Sequence, residues 1–179
     1  MIQEVKIASN RVGVLIGKNG SVKKELEERT STNINIDSKE GSVKLEGENA
    51  PLLLRGIEVV HAVNRGFSPE RAFMLLEDED LLLDVIDLSG LTDSPRQLER
   101  LRGRIIGKEG RSREQIEHMT ECEISVFSKT VAIIGLPEQI KIARSAVDML
   151  LQGLPHEMVF SFLERKRREM KQDMIDYYY

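Results

Sequence analysis

Gly13-Val14-Leu15-Ile16-Gly17-Lys18-Asn19-Gly20 and Gly103-Arg104-Ile105-Ile106-Gly107-Lys108-Glu109-Gly110 are two versions of one octapeptide, ninety positions apart. A Gly-x-x-Gly alone says little, because with glycine at about 7% of residues a chain of this length holds roughly one by accident. A preceding Ile and an inserted Lys make even a single chance match rare, at roughly one chain in several hundred. Its recurrence with the same neighbours points to duplication of a whole module.

The match extends outward without a gap from Gly13–Lys39 to Gly103–Lys129 and includes Glu27/Glu117, Thr30/Thr120 and Ile34/Ile124. Past the next turn the offset falls to 88, pairing Val43-Lys44-Leu45-Glu46-Gly47 with Val131-Ala132-Ile133-Ile134-Gly135. Both copies imply one order of elements. In the first, Ile2–Ala8 alternates as a strand, Ser9–Ile16 leads as a helix into the glycine loop, and Ser21 to about Arg29 reads as a second helix. Asn33–Asp37 and Ser42–Glu46 alternate as a hairpin, and Pro51 opens a closing helix to about Asn64. In the second, the order is strand Leu82–Leu88, a helix opened by Ser94-Pro95-Arg96-Gln97 in capping-box spacing, the loop and helix Arg111–Met119. Strands Cys122–Ser128 and Thr130–Gly135 and helix Pro137–Leu151 follow. Between the copies, Ser68-Pro69-Glu70 starts a short helix to about Leu76, which the acidic Glu77-Asp78-Glu79-Asp80 should end. Pro155 opens a final helix unique to the second half, and Tyr177-Tyr178-Tyr179 reads as a disordered tail.

Composition limits the function classes. The chain has 179 residues, 40% apolar and 31% charged, which describes a soluble globular protein in two modules of modest core. The N-terminus alternates like a strand, unlike a signal peptide. A lone Cys122 cannot form an intramolecular disulfide or a cysteine cluster for zinc, and a reducing cytoplasm is the expected address. His61, His118 and His156 lack metal-ligand spacing, and the glycine runs lack the four-residue gap and the Ser/Thr of a P-loop. No cofactor and no catalysis are expected.

The net charge of −4 argues against nucleic acid until it is mapped along the chain. Residues 1–90 carry 11 Lys+Arg against 16 Asp+Glu, and residues 91–179 carry 15 against 14. Near the loops the sign reverses. Arg11–Lys24 holds four basic residues and no acid, and Arg96–Arg113 holds seven basic residues against Glu99 and Glu109. Local sign governs attraction to phosphate.

Strand, helix, Gly-x-x-Gly, helix, strand, variable loop, strand, helix resembles the type I KH domain over nearly the whole of both halves. The resemblance implies an α+β fold: each module has a three-stranded antiparallel sheet with three helices on one face, joined by a linker helix and followed by a C-terminal helix. The expected boundaries are 1–67 for the first domain, 68–80 for the linker, 81–154 for the second and 155–179 for the C-terminal helix and tail. The Ser68–Phe73 linker and the long, basic first helix of the second module also resemble archaeal relatives of the eukaryotic pre-ribosomal factor called partner of Nob-one or Dim-two. That resemblance implies single-stranded RNA as ligand, near the 3′ end of small-subunit ribosomal RNA. It also implies the alpha subunit of archaeal initiation factor two, or a maturation nuclease, as partner.

KH domains clamp about four unpaired nucleotides. In the first module the expected clamp is Gly13, Ile16, Gly17, Lys18, Asn19 and Gly20. In the second it is Gly103, Ile106, Gly107, Lys108, Glu109 and Gly110, with Arg102, Arg104, Arg111 and Arg113 around it. The glycines let backbone approach the sugar–phosphate, and the helix that follows points its first N–H groups at the phosphate. Ile16, Val22, Ile34 and Ile36, and Ile106, Ile116, Ile124 and Val126, are candidates for the base groove, although Ile and Val on alternating strands are more often core. No aromatic except Phe127 lies near a loop, so hydrogen bonds rather than stacking should read bases. The second module is the expected principal site, with Glu109 as its one unfavourable charge. The basic cluster Arg165–Arg168 is expected to be a solvated helix face. Two other readings stay open: a protein-interaction scaffold that uses the acidic first half, and an RNA-delivery subunit of a degradation complex.

Overall fold

The computed structural model describes residues 1–179, which divide into two compact units, Met1–Leu83 and Asp84–Tyr179. In the first, β1 (Ile2–Lys6), α1 (Ser9–Ile16), α2 (Ser21–Thr30), β2 (Asn33–Asp37), β3 (Ser42–Glu46) and α3 (Ala50–Asn64) follow in order. The one-turn helices α4 (Pro69–Ala72) and α5 (Met74–Glu77) close the unit. The second repeats the plan with β4 (Leu82–Asp87), α6 (Pro95–Ile106), α7 (Arg111–Thr120), β5 (Glu123–Phe127), β6 (Thr130–Gly135) and α8 (Pro137–Leu151), then adds α9 (His156–Tyr178). Each sheet is three-stranded, in the order β1-β3-β2 and β4-β6-β5, so the last strand made pairs in the centre and β2 and β5 are edges.

Strand alternation sets which side chains meet the helices. In the first unit Val5, Ile34, Val43 and Leu45 are buried, as are Val12 and Leu15 from α1, Leu26 from α2 and Leu53, Val60 and Val63 from α3. The second unit buries Ile105, Ile116, Ile124, Val131, Ile133, Val147 and Leu150, and Val159 and Leu163 of α9 join that core. β6 is buried at every position, unlike the alternating β3.

Several residues matched between the repeats hold this frame together. The Glu27 carboxylate accepts from the Ile34 N–H at 2.9 Å, and Glu117 accepts from Ile124 at 2.9 Å, so α2 and α7 are each pinned to the edge strand. Lys23 and Arg113, also matched, pair with those same carboxylates. Buried Thr30 and Thr120 return their hydroxyls to the carbonyls of Leu26 and Ile116.

One device recurs without a matched residue. Arg11 donates from Nε to the Val63 carbonyl at 2.7 Å and from Nη2 to the Phe67 carbonyl at 2.8 Å. Arg104 donates from Nε to the Leu150 carbonyl at 2.8 Å and from Nη2 to that of Leu154. The two pairs of carbonyls correspond at the end of the closing helix, but the arginines do not, since the repeat aligns Arg11 with Leu101 and Arg104 with Val14. A guanidinium three positions along, close to one helical turn, reaches the same acceptors.

Three details differ from the sequence reading. The linker helix breaks at Phe73 into two single turns, with Phe73 itself buried. Ser94 caps α6 by accepting from the Gln97 N–H, but Gln97 does not complete a capping box: its side chain accepts from Thr92, which also takes the Ser94 N–H. The tyrosine tail is helical through Tyr178, because Glu164–Asp176 contains neither Gly nor Pro and carries Lys166–Glu169 and Gln172–Asp176 side-chain bonds at helical spacing.

Two outcomes follow for stability. Arg104→Met should lower the unfolding free energy by about 1.5–3 kcal/mol in urea titration, since charged hydrogen bonds to two carbonyls are lost. Arg100→Met, at an exposed position on the same helix, should stay within about 0.5 kcal/mol of the parent. Burial pushes the Cys122 thiol up to about 11. A thiol reagent at about pH 8 should therefore leave the folded protein unmodified and label it in step with unfolding, since the thiolate is the reactive species.

Candidate nucleic-acid interface

Both glycine loops take one conformation. Gly17 ends α1 at φ 76°, Asn19 lies at φ 56° and Gly20 at φ 74°; in the second loop Gly107, Glu109 and Gly110 lie at 74°, 58° and 75°. Three of four residues thus occupy the left-handed region, which glycine enters without cost, Asn tolerates and Glu resists. The first glycine is required twice over. A Cβ on Gly17 would stand 2.4 Å from the Val22 side chain, and one on Gly107 would stand 2.5 Å from Ser112 Cβ. Because Gly20 and Gly110 are the N-caps of α2 and α7, no side chain covers those helix starts; the Ser21 and Arg111 N–H groups turn back to the Lys18 and Lys108 carbonyls, and the rest of the first turn, with its positive dipole end, has no side-chain cap in the way of a ligand.

Lys18 and Lys108 stand exposed at the second loop position. Gly13 and Gly103 lie one turn before the loops, where their carbonyls accept from Gly17 and Gly107 at 2.9 and 2.8 Å. A Cβ at either would meet nothing within 4 Å. Internal packing therefore does not require glycine there, and its effect is a strip of bare backbone beside the loop.

The eight groove candidates separate by burial. Ile34, Ile116 and Ile124 are 2% exposed or less and belong to the core. Ile16, Ile36, Ile106 and Val126 are half-buried, with Ile16 and Ile106 at the helix ends and Ile36 and Val126 on the edge strands. Val22 instead faces α4, beside Glu25 and Phe73. Since the Ile34 and Ile124 N–H groups point out of the sheet to Glu27 and Glu117, the ladder's period of two turns the N–H and C=O of Ile36 and Val126 outward as well. These backbone groups can hydrogen-bond a base edge, a role that side-chain patterning alone does not reveal.

The basic residues of the second module are not equally available. Arg104 grips two carbonyls, Arg113 is paired with Glu117, and Arg102 lies 3.3 Å from Glu99. Arg111 is 75% exposed and 3.2 Å from Glu109, which partly neutralises the carboxylate in the loop. Gly103, Arg104, Gly107, Lys108 and Arg111 meet around one open depression of about 550 Å³, whereas Arg102 and Arg113 do not line it. In the first module Lys18 and Asn19 are exposed with no acid in the loop.

Comparison with known proteins follows the same division. Residues 2–59 match the KH domain family, and residues 82–168 match the eukaryotic type KH-domain, KH-domain type I. A KH domain-containing protein of Methanocaldococcus jannaschii is 44% identical over 174 residues, covering 95% of this chain and 76% of the relative. The pre-rRNA-processing protein PNO1 of Candida albicans is 31% identical over 121 residues, covering 67% of this chain and 44% of its own. A chain in the crystal structure of the a/eIF2alpha–aDim2p–rRNA complex from Pyrococcus horikoshii superposes with a TM-score of 0.88 at 45% identity, covering 94% of this chain and 95% of that one. The order of elements, the paired glycine loops and these likenesses together place the chain in the family of tandem KH-domain proteins that includes Dim2p and PNO1.

Proposed function

We propose that this protein is a non-catalytic RNA-binding factor of small-subunit ribosome maturation, holding single-stranded ribosomal RNA near its 3′ end through its glycine loops. The observation that carries this reading is the pair of loops: each has an uncapped helix start, an exposed lysine and bare helical backbone within one turn. Such a site grips sugar–phosphate and leaves bases to the outward backbone of Ile36 or Val126. The relatives' names support ribosomal RNA as the class of ligand. The same complex supports the alpha subunit of initiation factor two as a partner. No helix of the structure is long and apolar enough to cross a membrane.

The two sites are unequal. The second has Lys108 and Arg111 at its loop but carries Glu109, and we assign it the principal grip. The first half, with its excess of acid, is the better surface for a protein partner.

Fluorescence anisotropy with single-stranded RNA tests this. Lys108→Asp with Glu109→Asp should remove most affinity while circular dichroism stays unchanged, and Lys18→Asp with Asn19→Asp should cost less. Equal losses would overturn the ranking, and no binding of any single strand by the parent would end the RNA reading. Lys108→Ala should reduce the salt slope by about one. Glu109→Asn should raise both affinity and stability, the latter by up to about 1 kcal/mol, because it relieves a left-handed glutamate and releases Arg111 for phosphate.

A further inference from the structure

The depression beside the second glycine loop has a wall that the KH plan does not supply. Its floor is Gly103, Gly107 and the first turn of α7, and its far side is His156 and Phe160 of α9. Arg100, Lys108 and Arg111 border it, and Gln115 is its neutral polar edge. The volume, about 550 Å³, lies within the roughly 300–1,000 Å³ typical of small-ligand sites. His156 donates from Nε2 to the Arg104 carbonyl at 2.8 Å, which fixes the ring and leaves Nδ1 as its other polar atom.

Ser112 gives an independent sign of a ligand. It is only 5% exposed, lines this depression at the start of α7, and its hydroxyl has no hydrogen-bond partner in the protein. A buried hydroxyl without a partner is costly, and the first module avoids it with Val22 at the matched position.

The first module shows that the basic character is particular to the second. There the cleft against the same face of the second helix, at Val22 and Glu25, is about 460 Å³, is walled by the linker turns instead of the glycine loop, and is lined by Glu25, Glu70 and Glu77, with Arg29 as the counter-charge. Gln115 stands where the first module has Glu25. Phosphate is repelled at one and attracted at the other.

We propose that the cleft between the second glycine loop and α9 holds one further nucleotide of the bound RNA. Its phosphate lies among Arg100, Lys108, Arg111 and the α7 start, and its base lies against His156 and Phe160. This rests on the reading of the loop as a single-strand clamp and lengthens that clamp on the flank away from the edge strand β5. Only the second module has it, because only the second module is followed by α9.

The test uses the full chain carrying Lys18→Asp and Asn19→Asp to silence the first loop, and oligouridines of about four and about five nucleotides, one clamp length and one clamp length plus the further nucleotide. Lengthening the strand should strengthen binding about tenfold. Arg100→Gln with Gln115→Glu should abolish that gain while leaving the short strand within about twofold. Ser112→Val, which changes no charge and adopts the residue already accommodated in the first module, should cut the gain about threefold. Arg96→Gln, basic on the same helix but outside the cleft, should leave it intact. A gain unaffected by Arg100→Gln with Gln115→Glu, or lost equally in Arg96→Gln, would overturn the cleft and leave the clamp standing. Failure of the short strand to bind at all would instead overturn the clamp.

Discussion

The close passage of α1 over the start of α2, and of α6 over the start of α7, is the constraint on which the rest of this protein depends. At Gly17 and Gly107 a single added carbon would stand only 2.4 Å from residue 22 or 2.5 Å from residue 112, well inside van der Waals contact, and the backbone there is left-handed. Glycine alone satisfies both conditions. The tight joint leaves the second helix without a side-chain cap, and so creates a place where bare N–H groups, a dipole end and a lysine coincide. Glu27 and Glu117 then tie that helix to an edge strand and bring the outward backbone of Ile36 and Val126 beside it.

Duplication preserved this joint and changed what surrounds it. The arginine that holds the closing helix moved three positions along the first helix, from Arg11 in one unit to Arg104 in the other, and still reaches the equivalent carbonyls. The joint tolerates such drift because its requirement is a guanidinium at two acceptors, whatever its place in the sequence. The flank beside the loop diverged further. Linker turns and glutamates line it in the first unit, and α9, histidine and arginines in the second. The clefts on the second helix of each unit therefore differ in the sign of their lining, although both loops are basic.

Much of the fold was legible because it is local or periodic. Alternation gave the strands, Pro and Ser gave the helix starts, and the repeat confirmed each element against its copy. The differences arose where a local signal had more than one physical use. Gln97 has capping-box spacing, yet Thr92 captures its side chain. The tyrosines at the end read as a tail, yet no breaker interrupts the helix before them. At the site, the glycines and lysines could be named directly, but charge count overstated the available arginines: Arg104 and Arg113 serve carbonyls and a carboxylate of the fold. Ile34 and Ile124 looked like groove residues because strand alternation shows two faces without saying which is core, and Ile116 because a helix of ten residues does not by itself say which of its faces is packed.

By itself the sequence determined the two modules, their order of elements and the two glycine loops, because these follow from glycine chemistry, turn residues and periodicity within short segments. Only the tertiary structure decided which cations remain exposed, which backbone edge faces the groove, and that α9 returns to wall the second loop with His156 and Phe160 above Ser112. The contact that seats α9, His156 on the Arg104 carbonyl, joins residues 52 positions apart, a geometry that no short window of sequence contains.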